Sequence, residues 1–115
     1  MINWLVLLNA IAMIESNCDP EAVNMKEKAW GLYQMRGAAL RDANEVAGTN
    51  FKSRDLMKPP VATAMLRAYC YRYLGTDPTI EEVINLWQSG PSKMKANKDY
   101  KERVLNLYNS MNTAN

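Results

Sequence analysis

The sequence predicts a small all-α fold. Three observations carry this: apolar residues recur at helical spacing, Pro, Gly, Asn and Asp clusters separate the periodic stretches, and no stretch alternates apolar and polar residues as a strand would. About five helices are expected, arranged as one compact domain over residues 1–115 around a cleft, with at most a small β-hairpin. A 115-residue, 13.1 kDa chain suits one core, burying about two-thirds of its unfolded surface.

Asn3 caps the first expected helix, whose stripe is Trp4, Leu8, Ile11 and Glu15; Asn17, Asp19 and Pro20 end it. A polar loop follows to Ala29. Trp30-Gly31-Leu32-Tyr33-Gln34-Met35 is too short and too glycine-marked to be a helix. Ala38 to Ala47 reads helical, with Gly48 as its stop. Residues 49–58 are a polar connection in which Asp55 reads as a cap. Pro59 and Pro60 sit where a helix begins, and Val61 to Leu74 continues it to Gly75. Thr79 with Glu82 is a capping box for a short helix ending near Trp87, stopped by Gly90-Pro91. A last helix, from about Asn97 to Met111, places Tyr100, Val104, Leu107, Tyr108 and Met111 on one face.

Composition narrows the function. The chain is 48% hydrophobic and 23% charged, which suits a soluble globule and not a disordered one. Its net charge of +2 is too balanced for nucleic acid to be the main partner. Residues 1–50 hold four basic and six acidic side chains, and residues 51–115 hold ten and six. The basic second half, with Arg67, Arg72, Lys93, Lys95 and Lys98, suits weak attraction to an anionic polymer, or is simply a solvated face.

There is no histidine, which removes Ser-His-Asp, Cys-His and His-metal chemistries. The two cysteines cannot build a thiolate metal site alone, and are expected as free thiols. The five glycines form no phosphate-binding loop. No metal or other cofactor is expected, so any proton transfer falls to carboxylates.

The apolar runs Trp4–Leu8 and Ala10–Ile14 are too short to span a bilayer, and no Lys or Arg precedes them as in a secretory leader. The chain therefore reads as a soluble, mature or unprocessed protein without membrane insertion, expected to be monomeric.

Glu15 stands out because the helical period aligns it with Leu8 and Ile11, toward the interior or a cleft wall. A desolvated carboxyl has a raised pKa and can stay protonated near neutrality, as a general acid must. Periodicity alone favours a solvated or locally bonded charge at a helix end.

Wider context adds to this. Glu15-Ser16-Asn17-Cys18-Asp19-Pro20-Glu21-Ala22, then Gly31-Leu32-Tyr33-Gln34-Met35, resembles the E-S-x-x-[ND]-P-x-A … G-L-x-Q-[IM] signature of soluble lytic transglycosylases and goose-type lysozymes, in the lysozyme-like superfamily. Trp87-Gln88-Ser89-Gly90-Pro91 is similar to that family's aromatic-Asn-x-Gly-Pro turn, and Tyr100 with Val104 to its closing helix. Asn24, Glu27, Ala29, Gly31 and Gln34 also match the N-x-x-E-x-A-x-G-x-x-Q variant of small bacterial and phage members. These pieces span nearly the whole chain in order.

The resemblance implies cleavage of the β-1,4 MurNAc–GlcNAc bond of peptidoglycan, with Glu15 as acid/base. Ser16 is implied as a structural companion bonding nearby backbone, with Gly31, Gly90 and Pro91 shaping the site. Gln34 is implied either on the substrate side or bonding its own loop, and Tyr100 either beside the acid or in the core. Trp30, Tyr33 and Trp87 are candidates for subsite walls or for core, since a pyranose presents an apolar face to an aromatic ring.

Gln88 departs from the family's Asn, whose place implies that the side chain meets the substrate or pins the turn, and Asn24 stands near where many transglycosylases place a Ser. Both leave the reaction outcome open. A lytic transglycosylase needs one carboxylate: it protonates the leaving oxygen, then accepts the muramic acid 6-hydroxyl proton as a 1,6-anhydro ring closes. A muramidase needs a second group to activate water. Glu27 is the candidate for that group, or a surface charge between Lys26 and Lys28; Asp19 and Asp55 are weaker ones. The transglycosylase is favoured, with Glu15–Glu27 muramidase and a catalytically silent glycan-binding or virion structural module as alternatives. The implied site of action is the bacterial cell wall or periplasm, for a phage-delivered or holin-released endolysin or a bacterial wall-opening enzyme.

Overall fold

The computed structural model describes residues 1–113. It is mostly helical. Helix α1 spans Trp4–Ser16, α2 Gly37–Ala47, α3 Pro59–Leu74, α4 Ile80–Lys93 and α5 Lys98–Thr113. Three two-residue strands, β1 (Val23–Asn24), β2 (Ala29–Trp30) and β3 (Met35–Arg36), form an antiparallel sheet in the order β1-β2-β3. The register pairs Val23 with Trp30, and Trp30 in turn with Met35. None of the helices among the described residues is long and apolar enough to cross a membrane.

α1 runs through the middle of the core. Leu7, Ala10 and Ile11 are wholly buried, and its N-terminus is capped by Asn3, whose Oδ1 accepts the Val6 N–H at 3.3 Å. The same residue ties α1 to α5: the Asn3 N–H donates to the Tyr108 hydroxyl at 3.0 Å, and its side-chain amide donates to Asn112 at 3.2 Å. Val104 and Tyr108 are the buried residues of α5. The same core takes Leu56, Met65 and Leu66 from the α3 side and Val83, Ile84 and Leu86 from α4, each at most 1% exposed. Cys70 is buried and Cys18 exposed; both are free.

The differences from the sequence reading are local. The expected hairpin is a three-stranded meander, whose two-residue strands are too short to show alternation. The polar connection contains a 3-10 helix at Ser53–Met57, closed where the Asp55 carboxylate accepts the Lys52 N–H at 2.7 Å. α2 starts at Gly37, one residue before Ala38, and α3 starts at Pro59, as the proline pair predicts. α4 does not end near Trp87. It continues until Gly90, whose φ of 82° and ψ of 173° break the helix, and one more turn follows from Pro91 to Lys93. Proline fits there as the first residue of a turn, so Gly90-Pro91 interrupts the helix and restarts it.

Gly31 is fixed by backbone geometry at the turn between β2 and β3. Its φ is +82°, and an added Cβ would sit 2.3 Å from the Leu56 carbonyl oxygen. Left-handed strain of about 1–2 kcal/mol and displacement of the 3-10 segment act together. Gly31→Ala is expected to cost roughly 3 kcal/mol of stability, read as a fall in urea midpoint; a midpoint equal to wild type would mean that the turn does not press on Leu56.

Candidate active site

α1 ends in a left-handed turn at Asn17 and Cys18, whose N–H groups bond back to Met13 and Ala12 at 3.1 Å. The turn stops the helix just after Glu15 and directs the chain toward the sheet. Ser16 ties these two parts together, its Oγ donating to the Leu32 carbonyl at 2.7 Å. The last turn of α1 is therefore held against the β2–β3 turn.

That turn carries Gln34, a non-glycine residue at φ 54°. Its side-chain amide donates to the carbonyls of Gly31 at 3.0 Å and Ala22 at 3.2 Å, and the Gly31 N–H reaches Ala22 at 2.8 Å. Gln34 thus closes its own loop and also lines the cleft.

The cleft measures about 450 Å³. Glu15, half-buried at the end of α1, lines it together with Tyr100 of α5. The Tyr100 hydroxyl donates to Glu15 Oε2 at 2.7 Å. Burial is the largest influence on Glu15 and raises its pKa; the Tyr100 hydrogen bond and the Arg36 positive charge act the other way and are outweighed. Tyr100 is pushed far up in turn, first by burial and then by the adjacent carboxylate, so its phenol stays protonated as a donor.

The sheet and the start of α2 contribute Asn24, Glu27, Met35, Arg36 and Ala39, among others, to the lining. Glu27 lies in the cleft but is not isolated: its Oε2 is 3.2 Å from Arg36 Nη2, with both side chains more than half exposed. The Glu27 N–H donates to the Asn24 side chain at 3.1 Å, which holds the β1–β2 turn.

α4 supplies Trp87, Gln88, Ser89, Gly90 and Pro91. The Trp87 indole N–H donates to the Tyr33 carbonyl at 3.0 Å, and its ring meets Tyr69 edge-on with centroids 5.8 Å apart. Gln88 accepts the Asn97 N–H through Oε1, and Asn97 Oδ1 in turn caps α5 by accepting from Asp99 at 2.8 Å and Tyr100 at 3.3 Å. The Gln that replaces the family's Asn therefore pins the loop leading to Tyr100.

Glu15, Glu27, Gln34, Trp87, Gln88, Gly90, Pro91 and Tyr100 thus share one cleft, with Ser16 and Gly31 behind it in the supporting turns. Tyr33 does not line it. It is 5% exposed, its hydroxyl paired with Thr63 at 2.8 Å, so its ring belongs to the core and only its backbone carbonyl supports Trp87. Trp30 packs against the core and likewise stays outside the lining. Arg36 and Tyr69 also line the cleft, and neither stands among the candidates read from the sequence. The place of Arg36 directly after the Gly31–Met35 motif was the one available signal.

The family model described as the transglycosylase SLT domain matches residues 3–106, which includes every residue named in the cleft. No curated protein matches the chain.

The buried acid has a measurable consequence for stability. A carboxyl whose folded pKa lies above its model value of 4.5 binds a proton more readily in the folded state, so its contribution to stability is present at low pH and is lost as pH rises toward the folded pKa. Glu15→Gln removes that loss. Urea midpoints are expected to be similar for the two proteins near about pH 4, and higher for the variant near about pH 7. A midpoint difference independent of pH would contradict the burial of Glu15.

Proposed function

The chain belongs to the transglycosylase SLT domain family, of the lysozyme-like superfamily, and we propose that it cleaves the β-1,4 MurNAc–GlcNAc bond of peptidoglycan as a lytic transglycosylase with Glu15 as its acid and base. Degradation of peptidoglycan of the lytic transglycosylase type is the family's general chemistry. The observation that carries the finer assignment is the half-buried Glu15 carboxyl in the cleft, held at 2.7 Å by Tyr100.

Tyr100 occupies Oε2, which leaves Oε1 to carry the transferable proton. As the C1–O4 bond of the muramic acid breaks, that proton passes to the departing GlcNAc oxygen, and positive charge develops at C1. The same carboxylate then accepts the proton of the muramic acid 6-hydroxyl while its oxygen bonds to C1. The 1,6-anhydro ring closes, Glu15 is again protonated, and no water is consumed. Burial keeps the acid form populated, and Tyr100 together with Arg36 stabilises the carboxylate formed midway.

A muramidase using Glu27 is the second reading, favoured by the presence of Glu27 in the same cleft. Its ion pair with Arg36 argues against it, because that carboxylate is already engaged by a guanidinium and is not free to position a water. A silent glycan-binding module gains nothing from a buried acid that weakens the fold at neutral pH.

Digestion of purified peptidoglycan followed by mass spectrometry decides among these. Wild type is expected to release muropeptides one water lighter than hydrolytic products, with the rate in Glu15→Gln reduced by about 10²–10⁴-fold. Reducing-end products would give the muramidase instead, and binding without release the silent module.

The pH profile tests the partnership with Tyr100. Tyr100→Phe removes a donor to the carboxylate, so the Glu15 pKa rises further and the alkaline limb of the profile moves to higher pH. Lost orientation lowers kcat by roughly tenfold. An alkaline limb that stays in place would separate Tyr100 from the acid.

A further inference from the structure

Arg36 is the one cation among the described residues lining the cleft; the other charged lining residues are Glu15 and Glu27. With Glu15 protonated, the lining charges cancel, so an anionic group entering the cleft meets no net repulsion. Arg36 lies on β3, its side chain is 59% exposed, and its ion pair with Glu27 engages it through Nη2 at 3.2 Å. A guanidinium has five N–H donors in a planar fork, and a single contact to an exposed carboxylate leaves most of them for a ligand. Its charge also acts on Glu15, so it lies within electrostatic reach of the reaction centre.

Exposed ion pairs contribute little, so Glu27 is a readily exchanged partner. A glycan made only of neutral sugars has nothing to exchange with it. The muramic acid residue of peptidoglycan does: its lactyl ether carries either a free carboxylate or, through an amide, a peptide stem with carboxylates of its own. We propose that Arg36 is a specificity-determining residue that binds a carboxylate carried by the muramic acid side chain, exchanging Glu27 for it when the strand enters the cleft. The inference rests on the peptidoglycan reading above and assigns that cleft a preference for acidic over neutral muramyl substituents.

Binding can be measured without turnover, which separates this inference from the catalytic one. Three synthetic tetrasaccharides of alternating GlcNAc and MurNAc serve as probes: one with free lactyl carboxylates, one with lactyl methyl amides, and one bearing an L-Ala–D-Glu stem. Their affinities are compared by calorimetry in the Glu15→Gln protein, with and without Arg36→Gln or Arg36→Lys. A carboxylate-bearing probe is expected to bind about tenfold more tightly than the methyl amide, the effect of one charge-assisted hydrogen bond. Arg36→Gln abolishes that difference and Arg36→Lys retains part of it. Preference for the first probe identifies the lactyl carboxylate as the ligand, and preference for the third identifies the stem. Equal affinity for acid and amide, an equal loss on all three in Arg36→Gln, or no binding of any probe would overturn the proposal. The catalytic reading stands or falls separately, on the wild-type products from intact peptidoglycan.

Discussion

The hydrogen bond from Tyr100 to Glu15 joins residues 85 positions apart, and much of the architecture serves to keep it aligned. A half-buried carboxyl needs a donor of its own, because burial without a partner penalises its charged form. The donor comes from the last helix and the acceptor from the first, so α1 and α5 must hold a fixed relation. Asn3, Tyr108 and Asn112 tie them at the end far in sequence from the site, while buried Leu7, Ile11 and Val104 fill the core. At the other end, Gln88 fixes Asn97, and Asn97 starts the helix that presents Tyr100. The Glu15 carboxyl is thus positioned by tertiary packing, although it sits on a helix terminus.

The sheet is better regarded as a braced loop than as a layer of the core. Each strand is two residues long, and a sheet so small has little stability of its own. Its shape comes from outside contacts: Ser16 holds Leu32, Gln34 holds Gly31 and Ala22, and Gly31 lies against Leu56. This bracing puts Glu27 and Arg36 in the cleft on short, tied segments. The same turns explain why the family-like residues Ser16, Gly31 and Gln34 occur together: each satisfies backbone that would otherwise lack a partner.

The helices were legible in the sequence because their causes are local. Asn3, the Thr79–Glu82 box, Gly48 and Gly75 mark ends, and the stripe from Trp4 to Glu15 turns the acid inward. What could not be read has non-local causes. Nothing near Tyr33 announces that its hydroxyl meets Thr63, thirty positions away, and nothing near Tyr69 announces Trp87. The cleft role of Arg36 was hidden for a related reason: a two-residue strand has no periodicity from which to judge where a side chain lies.

On the proposed mechanism, the three charges of the cleft pose a problem that one carboxyl acting twice has to solve. To give a proton, Glu15 must remain protonated; to take one back moments later, its carboxylate must not be too costly to form. Burial alone favours the first requirement at the expense of the second. Tyr100 and Arg36 oppose burial without cancelling it, leaving the carboxyl raised but not locked in its acid form. Glu27 moderates Arg36 in turn, since a guanidinium already paired exerts a weaker field on Glu15. A substrate carboxylate that replaced Glu27 would do the same, so the proposed exchange of partners leaves the balance around the acid in place.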